Sequence, residues 1–267
     1  SIVFSMSDPT LINIKNLVNR FGSQTIHDGL DLTIKENEII GIVGASGSGK
    51  SVLVQSILGL HKPNEGEVLF KGRDIVQMTQ EEVLGFYEHW GVMFQGGALF
   101  SALSVVENVE LPIIEHYEID KELARQVAVS KLQAVGLDKQ AYNKYPSELS
   151  GGMVKRVALA RSMVLDPDIL FLDEPTAGLD PISASAFDDL IISLKENLGL
   201  TIVIITHDID TLVKVCDRVA VLVDKKITVD TLGGIMEHEN EWIQSYFHGE
   251  RMRALKEPGQ QNRGSNG

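Results

Sequence analysis

The stretch "NEIIGIVGASGSGKSVLV", Asn37 to Val54, decides how the rest of the chain is read. "NEIIGIVG" is a short, unbroken apolar run, the kind of strand that is buried on both faces in a parallel sheet. "SVLVQSILGL" follows with helical character. Between them "GASGSGKS", Gly44 to Ser51, fits G-x-x-x-x-G-K-[ST]. Glycines without Cβ atoms let successive backbone N–H groups converge on phosphate oxygens, and the helix start adds partial positive charge. Lys50 supplies a cation to the β- and γ-phosphates, and Ser51 offers a hydroxyl to Mg²⁺. The nucleotide-holding set predicted here is Gly44, Ala45, Ser46, Gly47, Ser48, Gly49, Lys50, Ser51 and Val52.

Outward from this turn, "LINIKNLVNRFGSQTIHDGLDLTI" alternates apolar and polar residues about a Gly-Ser turn and predicts antiparallel strands. "EGEVLFKGRDI" reads as a further strand with turns, and "VAVLVDKKITVD" as a hairpin. "DILFLDEP" and "TIVIITHD" are buried strands that end in polar residues. From about Leu103 to Leu165 the pattern is mostly helical, with spacings such as Leu123, Val127, Leu132 and Val135. Strands on either side of a helical block suggest an insertion within an α/β domain.

The polar strand ends carry the candidate chemistry. Ligands of open α/β sheets bind beyond the carboxyl ends of strands, where Asp173 and Glu174 are expected. Asp173 is the candidate Mg²⁺ ligand, usually through water, and Glu174 the candidate base that orients or deprotonates an attacking water. His207, after "TIVIIT", is placed to reach a γ-phosphate. A second glycine turn, "SELSGGMVKR" (Ser147 to Arg156), opens another helix and has the look of a second anion site without a phosphate-loop lysine. Lys155 and Arg156 read as solvated helix residues or minor electrostatic helpers, not as ligands.

Composition narrows the partners. The 267 residues carry 24 basic and 37 acidic side chains, a net charge of −13, which opposes nucleic-acid binding. The one cysteine, Cys216, excludes an internal disulfide and reads as a small buried apolar residue. The first ten residues lack a basic segment and a long apolar core, so no signal peptide is expected. The longest uncharged run, Trp90 to Val106, has 17 residues with Gln95, glycines and serines within it, too short and too polar for a spanning helix. The tail "ALKEPGQQNRGSNG" from Ala254 is polar and predicts disorder.

Taken together, "GASGSGKS", "VMFQ" ending in Gln95, "LSGGM", "ILFLDEP", "AGLD" and the "THD" that holds His207 resemble an ABC transporter ATPase over residues 11 to about 233. The resemblance implies a P-loop NTPase of the α/β class with a RecA-like core, an antiparallel β subdomain and an inserted helical subdomain. The corresponding boundaries are 11–96 and 156–233 for core and β subdomain, 97–155 for the insertion, 234–253 for a C-terminal helix and 254–267 for a disordered tail. It further implies ATP and Mg²⁺ as cofactors, with Gln95 touching Mg²⁺ and the attacking water. Ser150, Gly151 and Gly152 would complete the site of a second subunit in a head-to-tail homodimer, and Gly178, Leu179 and Asp180 would cross the interface.

"FQGGALFSALSVVENVELP" followed by "PSELSGGM" is most similar to ATPases of Mla-type lipid transporters, in which Met153 stands where most of the wider family has Gln. That likeness implies a permease dimer, an MCE-domain lipid-binding protein and a small STAS-domain protein as partners. It also implies phospholipid as cargo, no nucleic acid, and a location on the cytoplasmic face of the inner membrane through the permease. An ATPase subunit of a small-solute, amino-acid-type importer is the alternative. A mechanical clamp on ribosomes or DNA fits less well, for want of paired ATPase domains or coiled-coil arms.

Three features stay open between two readings. Phe21 is a platform for adenine or an ordinary aromatic. Leu99, Phe100 and Leu103 line a groove for a permease helix or pack inside the insertion. Trp242, Ile243, Tyr246 and Phe247 share one helix face that covers the core or docks on a neighbouring subunit.

Overall fold

The computed structural model describes residues 9–256 of the chain. Its centre is a six-stranded sheet: β3 (Ile39–Gly44), β6 (Trp90–Met93), β7 (Ile169–Asp173), β8 (Thr201–Ile205), β9 (Arg218–Val223) and β10 (Lys226–Asp230), in the order β10-β9-β3-β8-β7-β6. The strands from β9 to β6 pair in parallel, and only β10 runs antiparallel, on β9. The hairpin there turns at Asp224 and Lys225, both at positive φ (51° and 62°), the backbone of a tight two-residue hairpin loop. A second sheet, β2-β1-β4-β5, is built from β1 (Thr10–Phe21), β2 (Gln24–Lys35), β4 (Glu65–Phe70) and β5 (Arg73–Asp74), paired antiparallel throughout.

Alternation along the central strands decides what packs on each face. Leu170, Leu172, Ile202 and Ile204 face one side and join α3 (Val105–His116), α4 (Lys121–Ala134), α5 (Gly151–Met163) and α6 (Pro181–Leu198). Ile169, Phe171, Val203 and Ile205 face the other and meet the antiparallel sheet and α1 (Lys50–Ile57). All eight are at most 8% exposed, as expected for strands covered on both faces. Truncating one of the largest, Phe171→Ala, should cost about 3–5 kcal/mol by the usual cavity effect. A short helix, α2 (Gln80–Gly85), precedes β6; α7 (Ile209–Val215), α8 (Leu232–Met236) and α9 (Glu241–Lys256) complete the chain.

Several expectations are refined. The stripe that α4 buries is Ala124, Ala128 and Leu132, while Leu123 is half-exposed. Small residues let α4 lie close to its neighbours; of the spacing read from the sequence Leu132 and Val135 are buried, Val127 packs against the same core, and only Leu123 turns outward. Helix α5 continues to Met163, through the expected boundary at 155. Helix α9 starts at Glu241 and runs to Lys256, so Ala254 to Lys256 are helical; the remainder of the expected tail lies outside the described residues. Ile243 and Phe247 are buried against Val43, Leu212, Val219, Val221 and Ile235, so that face of α9 covers this chain's own core. Among the described residues no helix is long and apolar enough to cross a membrane.

Helices α6 and α7 are joined by a buried carboxylate. Asp188 is 3% exposed and accepts from Thr211 Oγ1, which lies 3.1 and 3.2 Å from its two oxygens. Burial pushes its carboxyl up to about 6 from an ordinary 3.8. The folded state therefore binds this proton more tightly than the unfolded state, and Asp188 destabilises the fold above pH 6 by an amount that vanishes below about pH 4. Asp188→Asn should raise the unfolding temperature at pH 7.5, by an amount corresponding to at most about 3 kcal/mol. The gap to the wild type should close as pH falls from 6 to 4; thermal unfolding across that range checks it, and a constant gap would refute it.

Candidate functional site

The parallel ladder sets the site. Ile205 pairs with Ile42 on one side and with Asp173 on the other, so the ends of β3, β8 and β7 lie side by side. From these neighbouring ends emerge the glycine loop at Gly44, the carboxylate pair at Asp173 and Glu174, and Thr206 with His207. Three segments far apart in sequence thus converge beyond one edge of the sheet.

The glycine loop bends through Gly47 and Gly49 at φ +80° and +95° and enters α1 at Lys50. Lys50 folds over it, its Nζ donating to the carbonyls of Gly44 at 2.6 Å and Ala45 at 3.1 Å. Burial holds the Lys50 ammonium below its usual range, and the charges of Glu174 and Asp173 work against that shift. Fit to a triphosphate is supported by two observations. A Cβ at Gly47 would meet nothing within 4 Å, which leaves that side of the loop open. Ser48 Oγ is buried with no hydrogen-bond partner, a polar atom that a phosphate oxygen would satisfy.

At the end of β7, burial and the neighbouring charge of Glu174 raise Asp173. Glu174 turns the chain at φ 45°, a left-handed conformation costly for a side chain of this kind, and its N–H donates to Ile205 O at 2.7 Å. The glutamate carboxylate is already oriented: His207 Nδ1 lies 2.9 Å from Oε1, and Thr206 Oγ1 donates to Oε2 at 3.3 Å. Asp173, Glu174, Lys50 and His207 are therefore brought to one place. Among the described residues no three His, Cys, Asp or Glu side chains form a cation cage. A divalent cation here would need oxygens from a phosphate beside those of Ser51, Gln95 and Asp173.

Lys155 departs from its expected place. It is 6% exposed, and its Nζ donates to the Gln95 carbonyl and, more loosely at 3.4 Å, to that of Glu174. Its aliphatic stem is buried while the ammonium reaches polar backbone, which a periodicity count misreads as a solvated helix residue. Arg156 also turns inward, donating to Val135 O at 2.5 Å. Farther along α5, Arg161 donates to Gly97 O at 2.7 Å and Ala98 O at 3.0 Å. Helix α5 thereby holds the loop that follows β6 through its carbonyls. The sequence signal was available: Lys155, Arg156 and Arg161 flank the apolar run Val157, Ala158, Leu159 and Ala160 on one helix.

Of the apolar residues in that loop, Leu99 packs on the core, Leu103 is half-buried and Phe100 is exposed. Phe94, next to Gln95, is exposed too. The Gln95 side chain itself is open to solvent. Buried Asn108 fastens the loop, its Oδ1 accepting from Phe100 N at 2.8 Å.

The second glycine turn forms the start of α5. Ser150 caps it by accepting from Met153 N at 3.3 Å, and Gly151 is exposed. The Ser150 hydroxyl keeps its proton for another acceptor. Met153 packs against the helical core, which explains an apolar residue here. A Cβ on Gly151 would stand 3.6 Å from Leu179 Cδ2, so "AGLD" and the second glycine turn are neighbours within one chain. Asp180 caps α6, accepting from Ser183 N at 2.9 Å and Oγ at 2.6 Å, and these bonds hold its carboxyl low. Phe21 is 48% exposed and stacks on His61, with centroids 5.1 Å apart. Trp242 of α9, read in the sequence only as part of a helix face, lines a cavity of about 300 Å³ with Gln24, Ile26, Ser46, Gly47 and Lys225, beside the glycine loop.

Comparison with known proteins agrees with this geometry. The sequence model of the ABC transporter family matches residues 27–177. The chain is 39% identical over 241 residues to the intermembrane phospholipid transport system ATP-binding protein MlaF of Haemophilus influenzae, covering 90% of this chain and 91% of that one. It is 37% identical over 218 residues to the probable ribonucleotide transport ATP-binding protein mkl of Mycobacterium leprae, of which it spans 62%. Among solved structures it is similar to the dimeric ATP-binding cassette MJ0796 in a post-hydrolysis state bound to ADP and Pi, with TM-score 0.74, 33% identity, and 83% and 98% of the two chains covered.

Lys155→Met keeps the stem and removes the ammonium. Hydrogen exchange should then quicken at the amides of residues 96–101, with α3 and α4 protected as before. Unchanged protection of the loop would show that Lys155 does not hold it.

Proposed function

The chain belongs to the ABC transporter family, and we propose that it is the ATP-hydrolysing subunit of a transporter that moves phospholipid between the inner and outer membranes and so maintains outer-membrane lipid asymmetry. The observation that carries the cargo assignment is the likeness to the Haemophilus influenzae protein over nine tenths of both chains. The convergence of Lys50, Asp173, Glu174 and His207 at three adjacent strand ends supports hydrolysis.

In this reading Lys50 leaves the loop carbonyls of Gly44 and Ala45 for the β- and γ-phosphates, and the loop N–H groups bind the remaining oxygens. Mg²⁺, when bound, neutralises phosphate charge, with Ser51, Gln95 and Asp173 as the protein's contributions. Glu174 orients the attacking water and takes its proton, while Thr206 and His207 keep the carboxylate aimed. Two chains meet head to tail, so Ser150 and the N–H groups of Gly151 and Gly152 reach the γ-phosphate held by the other. The exposed start of α5 and the dimeric state of the related cassette support this.

Partners are a permease dimer, an MCE-domain protein and a STAS-domain protein, with the subunit attached to the cytoplasmic side of the inner membrane through the permease. Exposed Phe94 and Phe100, on the loop gripped by α5, suit contact with a permease helix. A small-solute, amino-acid-type importer is the second reading; the mycobacterial relative, named for probable ribonucleotide transport, supports only that the cargo is a small solute.

Glu174→Gln should bind MgATP, hydrolyse it at least about a hundredfold more slowly and accumulate as a nucleotide-bound dimer; normal turnover would remove Glu174 as the base. Lys50→Ala should lose most ATPase activity, checked by phosphate release. Affinity purification from membranes decides the cargo, since a lipid-bearing MCE partner and a solute-binding protein are readily told apart.

A further inference from the structure

Beneath the glycine loop lies a buried polar cluster to which the hydrolytic site gives no role. Asn19 and His27 are fully buried and Ser56 is 1% exposed. Asn19 Nδ2 is 2.9 Å from His27 Nδ1 and 3.2 Å from Ser56 Oγ, and His61 Nε2 is 3.1 Å from Asn19 Oδ1. Ser56 Oγ donates to Val52 O at 2.8 Å. At the other end, His27 Nε2 lies 3.1 Å from the carbonyl of Gly49.

One assignment of protons satisfies every atom. The Ser56 proton belongs to Val52 O, so Ser56 Oγ accepts from the Asn19 amide. Flipping that amide would set its oxygen against a hydroxyl with no proton to give. His27 Nδ1 therefore also faces an N–H and must accept, which leaves the imidazole proton on Nε2, donating to Gly49 O. Burial favours the neutral ring this requires.

Gly49 is where the phosphate loop becomes helix. Its carbonyl accepts from His27 and from Leu53 N–H at 2.9 Å. A Cβ at Gly49 would come within 2.4 Å of His27 Nε2, so the ring also packs on its Cα. In the planar trans peptide Gly49–Lys50, the C=O and the N–H point opposite ways. Holding and polarising the carbonyl on the inner side aims the Lys50 N–H at the phosphate side.

We propose that His27 is a positioning residue for the nucleotide's phosphates, setting the Gly49–Lys50 peptide while Asn19, with Ser56 and His61, fixes the imidazole tautomer. This rests on the nucleotide-site reading given above and adds a residue that touches no ligand.

The test compares His27→Leu, which fills the space without hydrogen bonds, with His27→Gln, whose amide can still donate to Gly49 O. Both are made in the full chain and measured with its transporter partners. His27→Leu should raise the KM and Kd for MgATP about five- to tenfold with a smaller change in kcat, and His27→Gln should recover most of the loss. A folded His27→Leu protein with wild-type affinity, or a His27→Gln protein as weak as His27→Leu, would overturn the proposal. Nitrogen-15 NMR of the wild-type imidazole gives an answer that does not depend on the variants folding. A neutral Nε2–H tautomer whose signal moves on adding MgATP supports the proposal, and an Nδ1–H tautomer overturns it. Failure of the wild type to bind MgATP would instead strike the nucleotide-site reading.

Discussion

The register of three parallel strands is the constraint on which the site depends. Because Ile205 lies opposite both Ile42 and Asp173, the glycine loop, the carboxylate pair and His207 leave the sheet at one level. A slip of one residue in either pairing would turn each side chain to the opposite face and lose both cores at once. The same alternation that buries Leu170 and Leu172 on one side, and Ile169 and Phe171 on the other, thus holds the chemistry in register. Packing and function share a single geometric cause.

Around that fixed line the loops are held by polar contacts to backbone carbonyls. Lys155 and Arg161 of α5 grip the residues after β6, and Lys155 also reaches the carbonyl of Glu174. The helix that opens with the second glycine turn is therefore tied to the carboxylate turn of its own chain and to the loop carrying Gln95, Phe94 and Phe100. A shift of α5 on nucleotide binding would be felt at both loops through one side chain. On the opposite side, the Asn19–His27–Ser56 cluster performs the corresponding task for Gly49. Buried polar groups of this kind persist only where every hydrogen bond is made, so they fix one arrangement of the loop rather than several.

Much of this was legible beforehand because it rests on local chemistry. Phosphate-loop glycines, apolar strands ending in Asp173 and His207, and the β9–β10 hairpin each have short-range causes. Lys155 was misread because helical periodicity treats a cation as a solvent marker, whereas its ammonium finds carbonyls some sixty residues upstream, at Gln95. Leu123 was misread within the α4 stripe because Ala124 and Ala128 carry little hydrophobic weight in a count yet pack closely, while Leu132 and Val135 are buried as the spacing implies. His27 looked like one polar position in an alternating strand; its importance appears only once Gly49 is beside it.

By itself the sequence determined the family, the class of fold and the types of group at the site, since each follows from motifs a few residues long. Tertiary structure alone decided that the apolar face of α9 packs on this chain's own core, where Lys155 points, and that His27 lies against the phosphate loop. Those outcomes depend on contacts between segments distant along the chain, and a one-dimensional pattern carries no measure of that distance.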